Sequence, residues 1–135
     1  MIKKINYEET YAIRQIVMWP NKHLEYIMLD DDPKGEHYGL FVDSKLISVI
    51  SVFITENSAQ FRKFATLSQY QGKGYGTLLL SYVLKQLEKM GIKRVWCNAR
   101  LDKADYYGKF EFVKTDIFFE KGAKKYVIME KTNHV

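Results

Sequence analysis

Gln71-Gly72-Lys73-Gly74-Tyr75-Gly76-Thr77 is the stretch whose reading decides the fold. It lies between a strand-like run, residues 60–66, and an apolar-periodic helix, residues 77–90. Three glycines on alternate positions let the backbone approach a ligand without interference from Cβ atoms. They do so where a helix begins, so unpaired amide N–H groups and the positive end of the helix dipole face whatever lies there. That combination is a seat for an anion, most often a phosphate, and the candidate ligand is a pyrophosphate.

Two common phosphate-binding patterns do not fit. A Walker-type loop needs Gly-x-x-x-x-Gly-Lys-Ser/Thr, and Gly76 is followed by Thr77 and Leu78, so no lysine stands in that register. A Rossmann fingerprint spaces its glycines Gly-x-Gly-x-x-Gly, and here Gly76 follows Gly74 too closely. A flexible turn that binds nothing explains one glycine better than several at a helix start.

The chain has 135 residues, which is one domain's worth and enough to bury a core. Its 47% hydrophobic and 27% charged residues are ordinary for a soluble globular protein. Ten tyrosines lift the aromatic share to 15%, and such residues serve in core and sheet before they stack on ligands. The longest apolar run, residues 47–54, is broken by serines and too short to span a bilayer. No secretory h-region is expected in the first residues, where Asn6, Glu8 and Glu9 follow Lys3 and Lys4. No membrane partner is expected, and the cytoplasm is the expected compartment. The lone Cys97 excludes an internal disulfide and a cysteine-based zinc site; no metal is expected. A net charge of +5 suits an anionic ligand, but the basic residues are spread along the chain, so nucleic acid is not the expected partner.

Taken in order, residues 2–5 read as a short strand. Residues 8–18 read as a helix with Ala12, Ile13, Ile16 and Val17 on its buried face, stopped by Pro20. A second short helix is expected over Asn21 to Met28, followed by Asp30-Asp31-Asp32 as a solvated turn, since a calcium loop needs alternating ligands. Residues 37–42 and 45–54 flank Asp43-Ser44 as a hairpin. After the strand over 60–66, the 77–90 helix carries Leu79, Leu80, Val83, Leu84 and Leu87 inward and ends at Gly91. A strand over 94–98 then completes a crossover that demands a parallel pair. Asp102 is expected to cap a helix over 104–109, and residues 116–120 and 125–131 to form a closing hairpin around Gly122. The sum is an α+β domain.

This element order, with two motifs, resembles the GNAT superfamily of N-acetyltransferases. Gln71-Gly72-Lys73-Gly74-Tyr75-Gly76 matches its Gln/Arg-x-x-Gly-x-Gly/Ala signature. Asn98, then Ala104-Asp105-Tyr106-Tyr107-Gly108-Lys109-Phe110-Glu111-Phe112, is similar to its second motif, which ends Leu-Gly-Phe. Ser68 stands where a proline is common, and Glu111 where the family has glycine, so the turn after the last helix is expected to differ. The resemblance implies an acyl-CoA N-acyltransferase fold, a mixed central sheet of about six to seven strands flanked by about four helices. It implies acetyl-CoA as cosubstrate and a primary amine of a small molecule or peptide as acceptor, attacked directly in a ternary complex. Homodimers are common in the family, and the closing hairpin offers an edge.

By the same resemblance, amides of Gln71, Gly72, Lys73, Gly74, Tyr75, Gly76 and Thr77 hold the pyrophosphate. Phe64, Ala65, Thr66 and Leu67 lend backbone groups to the pantetheine arm. Asn98 and Ala104 also border the cofactor. Tyr107 is the catalytic residue, giving a proton to the leaving thiolate. A free phenol, with a pKa of roughly 10, is protonated at neutral pH. Tyr106 beside it is expected to pack on the sheet. Glu36, His37 and Glu56 lie near hairpin ends, each read as a surface or turn residue, so no general base is assigned. Cys97 alternates away from Trp96 and Asn98 and is expected in the core. Two other classes stay open: a CoA-binding sensor without catalysis, and an RNA-binding α+β domain that leaves the glycine turn unexplained.

Overall fold

The computed structural model describes residues 1–23 and 27–133. The strands are β1 (Ile2–Ile5), β2 (Glu36–Val42), β3 (Lys45–Thr55), β4 (Ser58–Thr66), β5 (Arg94–Arg100), β6 (Val113–Lys121) and β7 (Lys124–Thr132). The α-helices among the described residues are α1 (Tyr11–Met18), α2 (Tyr75–Lys89) and α3 (Ala104–Gly108). The seven strands form one mixed sheet in the order β1-β2-β3-β4-β5-β7-β6. The fold is α+β, with three α-helices among the described residues where about four were expected in all; the second short helix expected over Asn21 to Met28 includes residues 24–26, which lie outside the described residues. No helix among the described residues is long and apolar enough to cross a membrane. By its contacts the chain divides into two compact units, Met1–Phe53 with Phe61–Gln86, and Ile54–Gln60 with Leu87–Val135.

In the first unit, β1 runs antiparallel to β2, with Ile2 opposite Leu40 and Ile5 opposite His37. The β2–β3 turn is the expected Asp43-Ser44, and its φ values of 50° and 67° give the left-handed pair that a two-residue hairpin needs. Val49, Ile50 and Val52 of β3 are fully buried. The expected helix over 8–18 begins as a 3-10 turn, Tyr7–Thr10, and only then becomes α1. Its buried face also differs: Ile13 and Arg14 point inward, while Ile16 is 60% exposed.

Arg14 is inward because acceptors wait for both of its terminal nitrogens. Its Nη1 and Nη2 donate to the two Asp32 carboxylate oxygens at 2.8 and 2.9 Å, and further to Ile27 O and Ser51 Oγ. Asp32 is therefore not part of a solvated turn; it is fully buried, in the 3-10 turn Asp32–Lys34, and also accepts from the Leu29 amide. A bidentate guanidinium–carboxylate fork offsets the desolvation of both charges better than a single contact could.

α2 starts at Tyr75, two residues earlier than expected, and buries Leu79, Leu80, Val83, Leu84 and Leu87. These recur at helical spacing, so one stripe of α2 meets the core. Gly91, at φ 80°, closes the helix: its amide donates to Glu88 O and that of Ile92 to Leu87 O.

In the second unit, Ser58, Ala59 and Gln60 of β4 pair in parallel with Arg94, Val95 and Trp96 of β5, as the crossover requires. β5 then runs antiparallel to β7 from Arg94↔Thr132 to Arg100↔Tyr126. Burial alternates along β5, with Val95, Cys97 and Ala99 inward. The closing hairpin is longer than expected and turns at Gly122 and Ala123, with φ of 59° and 66°. Asp102 does not cap α3: the N-cap is Lys103, and Asp102 lies in a 3-10 turn and accepts from Arg100.

Glu111 adopts φ 72°, and the amides of Glu111 and Phe112 bond back to Gly108 O and Tyr107 O. The turn thus keeps the left-handed geometry that glycine serves, and a Cβ-bearing residue carries its strain. Replacing Glu111 with Gly relieves that strain at some cost in unfolded-chain entropy, and is expected to raise stability by about 0.5–1 kcal/mol in denaturant unfolding. A loss of stability would show that the Glu111 side chain contributes more than its backbone costs.

Candidate active site

β4 ends in a closely held corner of the first unit. Phe61, Ala65 and Leu67 are buried, but Lys63 sits at φ 55° and interrupts the plain alternation expected through the strand. Leu67 donates its amide to Ile47 O at 2.9 Å. The Ser48 hydroxyl donates to Ala65 O at 3.2 Å and lies 2.8 Å from Thr66 Oγ1. Gln71 folds back, its Nε2 donating to Thr66 O at 2.7 Å. The Leu67 amide, expected to be lent to a ligand, is thus committed within the chain, while the Gln71 side chain braces the turn.

Beyond this corner the backbone passes through Gly72 at φ 75° and Gly74 at φ 87°, and a Cβ at either position would meet nothing within 4 Å. Gly76 differs. A Cβ there would lie 3.3 Å from Phe64 Cζ and from Thr66 Oγ1, so this glycine lets the first turn of α2 pack against the end of β4. Two glycines therefore set the backbone and leave open space above it, and the third sets the packing. The first intrahelical bond is from Leu78 N–H to Gly74 O, which makes Gly74 the N-cap and places the Tyr75 and Gly76 amides in the opening turn. Lys73 is exposed between the two left-handed glycines, Thr77 is exposed, and the Tyr75 ring lies 6.0 Å from that of Tyr70. An open, left-handed glycine turn with a 15-residue helix behind it has the shape and the sign to accept an anion.

The second unit holds the other expected residues. Asn98 is exposed on β5, opposite Ile128 in register, while its neighbours Cys97 and Ala99 face the core. Ala104 is buried at the start of α3. Tyr107 follows one turn later, its ring 6.2 Å from Phe112 and 5.3 Å from Tyr106, and Tyr106 in turn packs 5.3 Å from Phe110. Burial pushes the Tyr107 phenol well above the ordinary tyrosine value, and the neighbouring Cys97 and Tyr106 add to the shift. It is protonated at any physiological pH.

Each group of expected residues is thus contiguous in its own unit: Phe64, Ala65, Thr66, Leu67 and the glycine turn in the first, Asn98, Ala104 and Tyr107 in the second. Of the three side chains near hairpin ends, two have other engagements and the third faces solvent. His37 is buried rather than a surface residue, with Nδ1 2.7 Å from Ser51 Oγ and Nε2 2.8 Å from Asp32 O. Glu36 pairs with Lys4 at 2.6 Å, and Glu56 is an exposed turn residue at φ 56°.

The acetyltransferase (GNAT) family model matches residues 3–112. This chain belongs to that family. The GNAT chain is 33% identical to the uncharacterized N-acetyltransferase YitI of Bacillus subtilis, over 97% of its own length and 95% of the relative's. Its fold is also that of the ribosomal-protein-S18-alanine N-acetyltransferase of Escherichia coli, with a TM-score of 0.81 at 17% identity, covering 100% of this chain and 94% of that one. An aminoglycoside 6′-N-acetyltransferase solved with coenzyme A has the same fold, with a TM-score of 0.77 at 12% identity, covering 98% and 96%. The GNAT chain is an acetyltransferase, and its cosubstrate is acetyl-CoA.

Cys97 is buried and its thiol is pushed up to about 12 by that burial, so the thiolate needed for a covalent acetyl intermediate is scarce at neutral pH. Iodoacetamide at pH 8 is expected to leave Cys97 of the folded protein unmodified over hours and to label it fully in denaturant, as read by intact mass. Rapid labelling of the folded chain would show an accessible thiolate and reopen the covalent route.

Proposed function

We propose that the chain transfers the acetyl group of acetyl-CoA to a primary amine of a small molecule or a peptide, by direct attack within a ternary complex. The observation that carries this reading is the glycine turn, in which Gly72 and Gly74 take left-handed backbone and have open space where a side chain would stand. The pyrophosphate of the cosubstrate is assigned to the amides of residues 71–77, with Lys73 supplying charge. Backbone groups of Phe64, Ala65 and Thr66 are assigned to the pantetheine arm, leaving aside the Leu67 amide that Ile47 already takes. Asn98 and Ala104 are assigned to the same cosubstrate.

The chemistry has three needs: a neutral amine, a stabilised tetrahedral oxyanion and a proton for the departing sulfur. An alkylammonium with a pKa of roughly 10 must lose a proton before it attacks. With Glu36, His37 and Glu56 engaged or turned to solvent, water is the assigned route for that proton. The amine then bonds to the thioester carbon, the carbonyl becomes an oxyanion, and its collapse expels the CoA thiolate. Tyr107 is assigned as the donor to that sulfur, being half-buried and held fully protonated, and the proton that the acylated nitrogen sheds returns through water to its phenolate. The acceptor class rests on the fold's neighbours, one acting on an alanine of a ribosomal protein and another on an aminoglycoside.

Calorimetric titration with acetyl-CoA tests the seat. Wild type is expected to bind, and Gly74→Glu, which puts a carboxylate and a Cβ at φ 87°, to bind at least about 100-fold more weakly while remaining folded. Equal affinity in the folded variant would remove the turn as the pyrophosphate site. For the acid, Tyr107→Phe is expected to lower kcat about 100-fold on an amine found by screening peptides and amino sugars, with the KM for acetyl-CoA unchanged. Turnover at the wild-type rate would exclude Tyr107 from proton transfer.

A further inference from the structure

The buried group formed by Arg14, Asp32, His37 and Ser51 takes no part in the proposed reaction, and neutral His37 gives the Ser51 hydroxyl proton its acceptor. The Arg14 guanidinium has donors alone, so Ser51 Oγ accepts from its Nη2 at 2.8 Å. Ser51 Oγ keeps a second lone pair, so His37 Nδ1, 2.7 Å away, either accepts the Ser51 hydroxyl proton or, when protonated, donates to that oxygen and leaves the hydroxyl proton unused. On the other side of the ring the partner is Asp32 O, a carbonyl that can only accept, so the imidazole proton sits on Nε2. The pattern that uses both the Ser51 hydroxyl proton and the imidazole proton has His37 neutral, with its proton on Nε2.

The same groups fasten residues 27–35. Arg14 holds Ile27 O and the Asp32 carboxylate, the carboxylate holds the Leu29 amide, and His37 holds Asp32 O, which also accepts from the Gly35 amide. We propose that these four side chains form a proton-operated clamp on residues 27–35, closed while His37 is neutral and released when its imidazole takes up a second proton. A proton on Nδ1 turns an acceptor into a donor and leaves the Ser51 hydroxyl proton without its partner. It also sets two cations against one carboxylate where Arg14, Asp32 and Ser51 are 0% exposed and His37 3%. Arg14 Nε already has no partner, so one buried donor of the cluster goes without an acceptor before any proton is added.

The groups facing His37 do not offset a second charge. From the N-terminal 3-10 turn comes the Tyr7 ring at 6.2 Å, and from β3 the Ser51 hydroxyl and the Phe53 ring at 6.1 Å. α1 contributes Arg14 and the neutral phenol of Tyr11, itself raised by burial and by Asp32. The Asp32 carboxylate belongs to Arg14. Burial pushes His37 below the ordinary imidazole value, although the Asp32 carbonyl and charge pull the other way. Burial alone would raise Asp32, but the Arg14 and Leu29 hydrogen bonds outweigh it and hold the carboxyl below its ordinary range, so it stays ionised throughout the window in which His37 acts. The sign follows: with the closed-state pKa depressed, closure is at full strength above the open-state value of roughly 6.5 and weakens as pH falls below it.

Amide hydrogen exchange on the full chain at pH 7.5 and 5.5, corrected for the intrinsic chemical rate, tests the clamp. The Leu29, Asp32, Lys34 and Gly35 amides are expected to show an opening constant about tenfold larger at pH 5.5, while Val83 and Leu84 in α2 stay constant. In His37→Gln, which keeps a donor for Asp32 O but takes no proton, the same four amides are expected to lose that pH dependence. Unchanged protection in wild type, a parallel change in Val83 and Leu84, or the same pH response in the variant would each overturn the proposal. Should His37→Gln fail to fold, the nitrogen shifts of His37 in wild type decide: an Nε2–H tautomer titrating below about 6.5 supports the clamp. An Nδ1–H tautomer, or titration at or above that value, overturns it.

Discussion

Where β4 stops is decided by the amide of Leu67, which reaches across to Ile47 O and makes the last hydrogen bond before the chain leaves the strand. The glycine turn hangs from that point. Ser48 holds Ala65 O, and Gln71 reaches back to Thr66 O, so the corner is closed by side chains on both sides of the strand end. Seven residues then separate Leu67 from Tyr75, and within them Gly72 and Gly74 must take left-handed backbone to bring the chain into the axis of α2. A residue with a Cβ at either place would find room but not a comfortable φ. The constraint on these two positions is torsional, and that on Gly76 is packing. Under the proposed function the same torsional constraint keeps the space over the turn free for a pyrophosphate.

Burial does opposite things to the ionisable groups of this chain, according to the charge each would carry. It raises Cys97 and Tyr107, which would become anions, and lowers His37, which would become a cation. In each case the neutral form is the one the fold selects. Asp32 is the exception: a bidentate guanidinium and a backbone amide outweigh what burial alone would do. The low-dielectric interior therefore holds the Arg14–Asp32 ion pair, and the His37, Tyr11 and Ser51 side chains around it are uncharged.

The elements that sequence periodicity could reach were legible. The five inward residues of α2, the Asp43-Ser44 turn, the closing turn at Gly122 and the parallel crossover all stand where local pattern put them. Arg14 was not legible, because an arginine beside Ile13 counts as polar in any amphipathic reading, and its partners are 13 to 37 residues away. Asp32 was hidden for the complementary reason: Asp30 and Asp31 are exposed, and nothing in three identical residues marks the third as buried. Position in space, not spacing in sequence, makes this cluster. Glu111 is a different case. Its left-handed backbone could not be read from glutamate itself, only from the glycine that the family places there. In the candidate site, the residue types were legible from motif and chemistry, whereas the commitment of Leu67 and Gln71 to intrachain bonds depends on Ile47 and Thr66 lying alongside.

The raised pKa of Tyr107 bears directly on its proposed role. A phenol above its ordinary value is a poor acid toward a thiolate whose conjugate acid, in water, lies near 8.5. Proton transfer between them in water would run uphill. The same burial that raises the phenol would act on a thiolate formed beside it, and more strongly the less water reaches the sulfur. Donor and acceptor would then move together, so the difference that governs transfer shrinks even as both values climb. A proton shared in a hydrogen bond while the carbon–sulfur bond breaks needs only that near-match, not a strong acid. Cys97 shows how large the effect is on a sulfur in the same unit, its thiol standing at about 12 from burial alone. A tyrosine suits this position because its phenol is neutral at pH 7 even without burial, whereas a carboxylic acid would be neutral there only if burial raised it by several units.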